Sequence, residues 1–354
     1  GGLVEVERRP FPRFTASKDG TGDLVPQSAV LRRALDKAKV SVSLERLEGL
    51  ATGFLQANSA RDVGPAMEAW RRRVLSEFDG DMRSITVAAN VCRQVSSDKS
   101  MAYALLKVAA EEGHANAAYH YSVLLGTLQI SIPNGRNVGA QIIKRLAGIN
   151  HPPSQIVLAD RHFALGNHQA GLELLHSAAQ HSAVAAFKLG EVYRKASPAD
   201  HEAAEHWYAR AAERGLSDGY FMLGNMRSRG DTSGGVPDYE AAFHMFEWAA
   251  AGGNAESQYN VGVYYLEGKG VERNPRLAAE YWAMAAAQRF PVALLNLGKL
   301  VAEGTEVPRD LRRARTLLTI AADCSGPDGF IRDEATALLD RLDHVGKDTQ
   351  CTIL

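Results

Sequence analysis

A chain of 354 residues with 40 basic and 41 acidic side chains carries a formal net charge of -1, which removes the electrostatic case for a nucleic acid or any strongly acidic partner. Its 45% hydrophobic and 23% charged content supplies apolar residues for a continuous core, and no apolar run approaches the ~18 residues of a membrane span. The three cysteines, Cys92, Cys324 and Cys351, form no CxxC and are odd in number, which argues against a disulfide framework or a zinc site and for a reducing compartment.

Residues 1–27 contain Pro10, Pro12 and Pro26 and no apolar period, and read as a flexible lead. Arg8, Arg9 and Arg13 with few acids nearby, behind a Gly-Gly start, also suit the end of a processed targeting segment. From Val30 onward helical periodicity dominates and strand-like alternation is absent. Arg71, Arg72 and Arg73, the densest basic spot, are expected to point in different directions as a solvated helix face.

Two columns of residues set a repeat of about 35 residues. One is a small residue on a first helix: Ala51, Ala88, Ser122, Ala159, Gly190, Gly224, Gly262 and Gly298. The other is the first of a small pair late in a second helix: Ala109, Ala147, Ala178, Ala211, Ala249, Ala285 and Ala321. Four residues before each pair stands a bulky side chain, among them Trp207, Met245, Tyr281 and Leu317, and Trp70 heads a weaker earlier unit. Residues four apart share a helix face, so the bulky side chain is expected to fill the groove left by the small ones. Glycine inside a helix costs ~1 kcal/mol relative to alanine, so its use at 190, 224, 262 and 298 implies close helix contact. Gly268 and Gly270 can stop a first helix, and Asn274-Pro275 can cap and start a second. Pro237-Asp238 and Pro308-Arg309-Asp310 do the same in neighbouring units.

The run Val261-Gly262, Tyr265, Gly268, Gly270-Val271, Ala278, Tyr281, Ala285-Ala286 resembles the Sel1-like repeat family, a relative of tetratricopeptide repeats. Leu189-Gly190, Tyr193, Ala204, Trp207, Ala211-Ala212 and Gly215 carry the same pattern with a shortened loop. The match is firm over 180–322 and extends with degraded motifs over 45–180. The fold expected is all-α: an α-solenoid of about seven to eight helix-loop-helix units over 28–342, closed by a capping helix near 331–342, with a flexible tail over 343–354. The chain ends Cys351-Thr-Ile-Leu354, which looks like a CaaX box of the geranylgeranyl type.

No motif for catalysis, metal or cofactor stands out. His162 takes a repeat tyrosine position and is expected to pack with one nitrogen bonded, and Gly268-Lys269-Gly270 is a loop between helices, not a phosphate cradle after a strand. By analogy with tetratricopeptide repeats, the groove-facing positions are three before, one after and four after the small residue. That selects Tyr119, Phe187, Phe221, Tyr259 and Leu295; then Asp160, Glu191, Asn225 and Lys299; then Arg194 and Ser228. An aromatic stripe flanked by polar groups suits an extended peptide or a helix of a protein partner. The resemblance therefore implies a non-enzymatic scaffold or adaptor without cofactor, tethered to a cytoplasmic membrane surface if Cys351 is prenylated. Chitin-synthase activators of fungi combine such repeats with a CaaX end, and the chain is similar in that pairing. The alternative is a mitochondrial helical-repeat assembly or translation factor peripheral to the inner membrane.

Overall fold

The computed structural model of the protein describes residues 43–95, 99–126, 134–232, 235–325 and 329–351, with side chains described as far as 342. The lead at 1–27, the last three residues and the Cys351 side chain lie outside the described residues. Among the described residues there are seventeen α-helices and no strand. In chain order they are α1 (Leu44–Ser59), α2 (Val63–Glu77), α3 (Met82–Val95), α4 (Ser100–Glu111), α5 (Ala115–Gly126), α6 (Gly135–Gly148), α7 (Pro152–Ala164), α8 (His168–Ala179), α9 (Ala183–Arg194), α10 (His201–Glu213), α11 (Ser217–Arg229), α12 (Tyr239–Ala251), α13 (Ala255–Glu267), α14 (Pro275–Ala287), α15 (Pro291–Glu303), α16 (Leu311–Cys324) and α17 (Phe330–Cys351). The first sixteen form eight successive hairpins, each an odd-numbered helix followed by an even-numbered one. The chain divides into two compact units, 1–178 and 179–354.

In the first unit one buried cluster runs from Leu47 through Phe54, Trp70, Ile85, Leu106 and Leu125 to Leu146. α4 is enclosed all round: every residue from Met101 to Ala110 is buried, Lys107 included. Lys107 is held by Glu111, one turn on, and Glu111 also lies 3.6 Å from Arg71 Nε. Arg71 is therefore not part of a solvated face. It is 4% exposed and pairs with Glu68 at 3.0 Å and with Glu112, because its position on α2 turns inward while Arg72 and Arg73 turn out. The expectation holds for its two neighbours and fails for Arg71.

In the second unit the two columns meet as notch and knob, with the knob one residue later than the sequence pattern suggests. A Cβ placed on Gly190 would lie 2.6 Å from the Tyr208 ring, on Gly224 2.7 Å from Phe246, on Gly262 2.4 Å from Trp282, and on Gly298 2.9 Å from Leu318. These four knobs are buried, whereas Trp207, Met245, Tyr281 and Leu317 beside them are only half-buried. The reason is helical phase. A residue three before the first alanine of the pair is four before the second, so it is centred on the face both alanines define.

The loops end and start helices as the sequence pattern predicts. Gly230, Gly268 and Gly304 close α11, α13 and α15 in the left-handed conformation. Asp238, Asn274 and Asp310 then accept the backbone N–H three residues on at 3.0, 3.2 and 2.9 Å. Side chains staple neighbouring repeats: Arg214 donates to the Ala179 and Gln180 carbonyls at 2.8 and 2.9 Å, Asn254 to Asp218 at 2.9 Å, and Gln288 to the Gly253 carbonyl at 3.0 Å. The closing helix expected at 331–342 is the first part of α17, which packs on α16 and continues to Cys351. The backbone is thus helical over 343–351, where a flexible tail is expected from the sequence.

Candidate partner-binding face

Within the second unit the first helices α9, α11, α13 and α15 carry the selected positions. Three before each small residue stand Phe187, Phe221, Tyr259 and Leu295. The three aromatics are half-buried, and each leans on the ring that fills its own hairpin's notch: Phe187 on Tyr208 at 5.5 Å, Phe221 on Phe246 at 6.1 Å, and Tyr259 stacked on Trp282 at 6.1 Å. Leu295 departs from the expectation. It is 2% exposed, because without a ring to tilt outward its side chain sinks into the core shared with α16 and α17.

The polar column lies one residue after the small one. Glu191 is clasped from three sides: Arg194 donates to both its oxygens at 3.0 Å, Lys195 lies at 2.7 Å, and the Tyr208 hydroxyl donates to it at 2.5 Å. The hydrogen bond from Arg194 is the largest cause that holds the Glu191 carboxyl down at about 2, with Lys195 and Tyr208 adding to it against the cost of burial. Burial first, and then Glu191, raises the Tyr208 phenol above its ordinary value. Glu191 and Arg194, picked from the sequence as separate contact residues, thus spend much of their hydrogen-bonding capacity on each other. Asn225 is half-buried, and its backbone carbonyl accepts from Ser228 Oγ at 3.0 Å. Lys299 reaches one repeat on, to Glu334 of α17 at 2.5 Å.

Two residues of this face escaped the sequence reading. Asn296 donates to the Tyr259 hydroxyl at 3.2 Å across the seam between α13 and α15, and Glu334 receives Lys299. Their signal was present in the period: both stand one repeat, 37 and 35 residues, after the groups they touch. Burial is the leading cause that lifts the Tyr259 phenol, while Asn296 opposes it. In the first unit Tyr119 is half-buried with its ring 5.7 Å from His151, and Asp160 is exposed.

The remaining candidates resolve into packing. Lys269 of the Gly-Lys-Gly loop sits 4.0 Å over the Tyr239 ring, a cation–π contact. His162 is half-buried, and its Nδ1 is buried without a hydrogen-bond partner. Cys92 is buried, which pushes its thiol up to about 12. Among the described residues no group of three His, Cys, Asp or Glu side chains is arranged to hold a metal ion, and no helix is long and apolar enough to cross a membrane.

The Sel1 repeat pattern matches residues 93–114, 183–216, 217–254, 255–290 and 291–325, the last four without a gap and in register with hairpins α9/α10 to α15/α16. These five stretches of the chain are Sel1 repeats. The chain is 24% identical over 279 residues to an uncharacterized protein of Neisseria meningitidis serogroup B, covering 70% of this chain and 59% of that protein. It is 25% identical over 250 residues to chitin synthase regulatory factor 3 of Schizosaccharomyces pombe, covering 67% of this chain and 27% of that protein. It thus spans less than two thirds of either relative. A crystal structure of a Sel1 repeat protein from Oxalobacter formigenes aligns with a TM-score of 0.59 at 23% identity, covering 96% of this chain and 99% of that one. That likeness is one of fold.

Proposed function

We propose that this Sel1 repeat protein is a non-enzymatic scaffold that holds an extended peptide or a helix of a protein partner on the first-helix face of residues 183–325. The observation that carries the reading is the row Phe187, Phe221 and Tyr259. Each ring is fixed by the knob of its own hairpin yet keeps an exposed part; Asn225 shares α11 with Phe221, and Asn296 and Lys299 stand on α15, the next first helix after that of Tyr259. Side chains already immobilised before binding lose little further freedom when a partner arrives, so contact area converts to affinity at lower cost. Aromatic anchors with polar neighbours are the composition of interface cores.

The test places a photo-crosslinking residue at Asn225 in the full chain and, as a control, at Met284, which is 47% exposed on a second helix. A partner crosslinked in the native host from position 225, absent from 284 and lost on Tyr259→Ala with helicity unchanged, supports the reading. Equal capture from both positions, or capture that Tyr259→Ala leaves intact, overturns it. The similarity to chitin synthase regulatory factor 3 favours one narrower version, a scaffold that regulates an enzyme.

A further inference from the structure

Two histidines stand at equivalent places one repeat apart in the first unit. His114 directly precedes α5 and His151 directly precedes α7. The same place is held by Ser182 before α9, Leu216 before α11, Asn254 before α13 and Phe290 before α15, none of which titrates. Ser182 and Asn254 accept the backbone N–H three residues on, from Ala185 at 3.3 Å and Ser257 at 2.7 Å. His114 does the same work with a ring nitrogen: its Nδ1 accepts the Ala117 N–H at 3.3 Å and lies 2.9 Å from Thr86 Oγ1. His151 is tied on both sides. Its Nε2 is 2.8 Å from Asn116 Oδ1, an acceptor, so the ring proton belongs on Nε2. Nδ1 is then left to accept from Ser154 Oγ at 2.9 Å, and Ser154 is fully buried.

Both arrangements require an unprotonated Nδ1. Adding a proton removes the acceptor that caps α5, and it forces the buried Ser154 hydroxyl to turn its hydrogen elsewhere. It also puts positive charge at two helix N-termini, the end of a helix that repels it. The surroundings offer little compensation. Asp81, just before α3, and Arg83 on it both face His114 with opposite signs; Arg93 and His151 face His120, and His114 faces His151. Burial is the largest cause that lowers all three histidines.

We propose that the turns headed by His114 and His151 form an acid-sensitive joint between the second, third and fourth hairpins. A histidine kept neutral in the fold contributes stability that is full above its unfolded value, about 6.5, and is lost as pH falls from there through its lower folded value, since the unfolded chain takes up the proton first. The first unit therefore loosens in mild acid while the hairpins of 183–325, whose first helices are headed by Ser182, Leu216, Asn254 and Phe290 and whose second helices are capped by aspartates and Asn274 rather than histidines, keep their packing. The two halves of the array thus answer differently to a fall from neutral to endosome-like pH.

The experiment is hydrogen exchange of the full chain at pH 7.5 and 5.5, corrected for intrinsic rates. Protection of peptides from 115–126 and 152–164 is expected to fall about tenfold, while that of 183–325 stays within twofold. In the His114→Asn/His151→Asn variant, which installs the residue found at 254, the difference between the two pH values is expected to disappear. A wild-type loss of equal size in both regions, no loss at all, or the same loss in the double variant overturns the proposal. Should that variant fail to fold, ring-proton titration of the wild-type histidines decides: His114 and His151 titrating at about 6.5 overturns it.

Discussion

Trp282 lies so close over Gly262 that a Cβ on the glycine would sit 2.4 Å from the indole, and its ring N–H reaches the Tyr259 carbonyl at 3.0 Å. The same residue thus locks the hairpin and supports the ring of the proposed contact residue. Gly262→Ala should therefore destabilise, although alanine is the better helix former by ~1 kcal/mol. Overpacking at such a contact costs about 1–3 kcal/mol net. Gly148→Ala, with nothing within 4 Å of its Cβ, is the control and should be neutral or slightly stabilising. Urea denaturation of the two variants beside wild type measures the difference, and a stabilised Gly262→Ala would mean that the helices can separate freely there.

That contact also marks what was legible in the sequence. The small-residue column, the repeat length and the capping residues follow from local chemistry, and the structure has them in place. The face of a side chain, by contrast, depends on phase, and one residue shifts it by about 100°. This is why the knobs are Tyr208, Phe246, Trp282 and Leu318 and not the residues before them. Leu295 failed for a related reason: a position rule taken from aromatic repeats does not say where a leucine of the same column goes. The Asn296–Tyr259 and Lys299–Glu334 contacts join different repeats, and reading one repeat at a time does not pair them. Arg71 could not be separated from Arg72 and Arg73 without the acidic partners that α4 brings to it.

Asn254 works at two levels. Its Oδ1 caps α13 through the Ser257 N–H at 2.7 Å, and its amide donates to Asp218 of the preceding repeat at 2.9 Å. Asn254→Ala is expected to cost about 1–2 kcal/mol, the upper part of the range for a lost cap. Asn254→Ser keeps the cap and loses the staple, so it should recover at least half. Thermal and urea melts of both variants separate the two contributions; equal losses would assign the whole effect to the staple.

The buried Lys107–Glu111 pair predicts a strong asymmetry between single and double substitution. Both side chains are under 4% exposed, and burial is the first cause that lowers the lysine's pKa. Lys107→Met alone leaves Glu111 with only Arg71 at 3.6 Å and is expected to cost about 3–5 kcal/mol. Lys107→Met/Glu111→Leu removes both charges from the core and should cost clearly less, since well-packed apolar replacements of a buried pair are often neutral. Two equal losses in chemical denaturation would show that the cost lies in packing rather than in the orphaned charge.

Glu191 should make the second unit sensitive to strong acid, well below the range in which the histidines act. Its carboxyl is held at about 2 by Arg194, Lys195 and Tyr208, against 4.5 for a free glutamate. A carboxylate with a depressed value contributes stability that is complete above 4.5 and disappears as pH falls from 4.5 through 2, because the unfolded chain takes up the proton first. The contribution is on the order of 1–3 kcal/mol, limited by the residual contact of the cluster with water. Glu191→Gln should lower stability by that amount at pH 7 and much less at pH 2, so the wild-type and variant curves of stability against pH converge in acid. Urea midpoints taken from pH 7 to pH 2 test this, since a gap that stays constant over the whole range would mean that Glu191 acts by shape and hydrogen bonding alone, with its charge irrelevant to the fold.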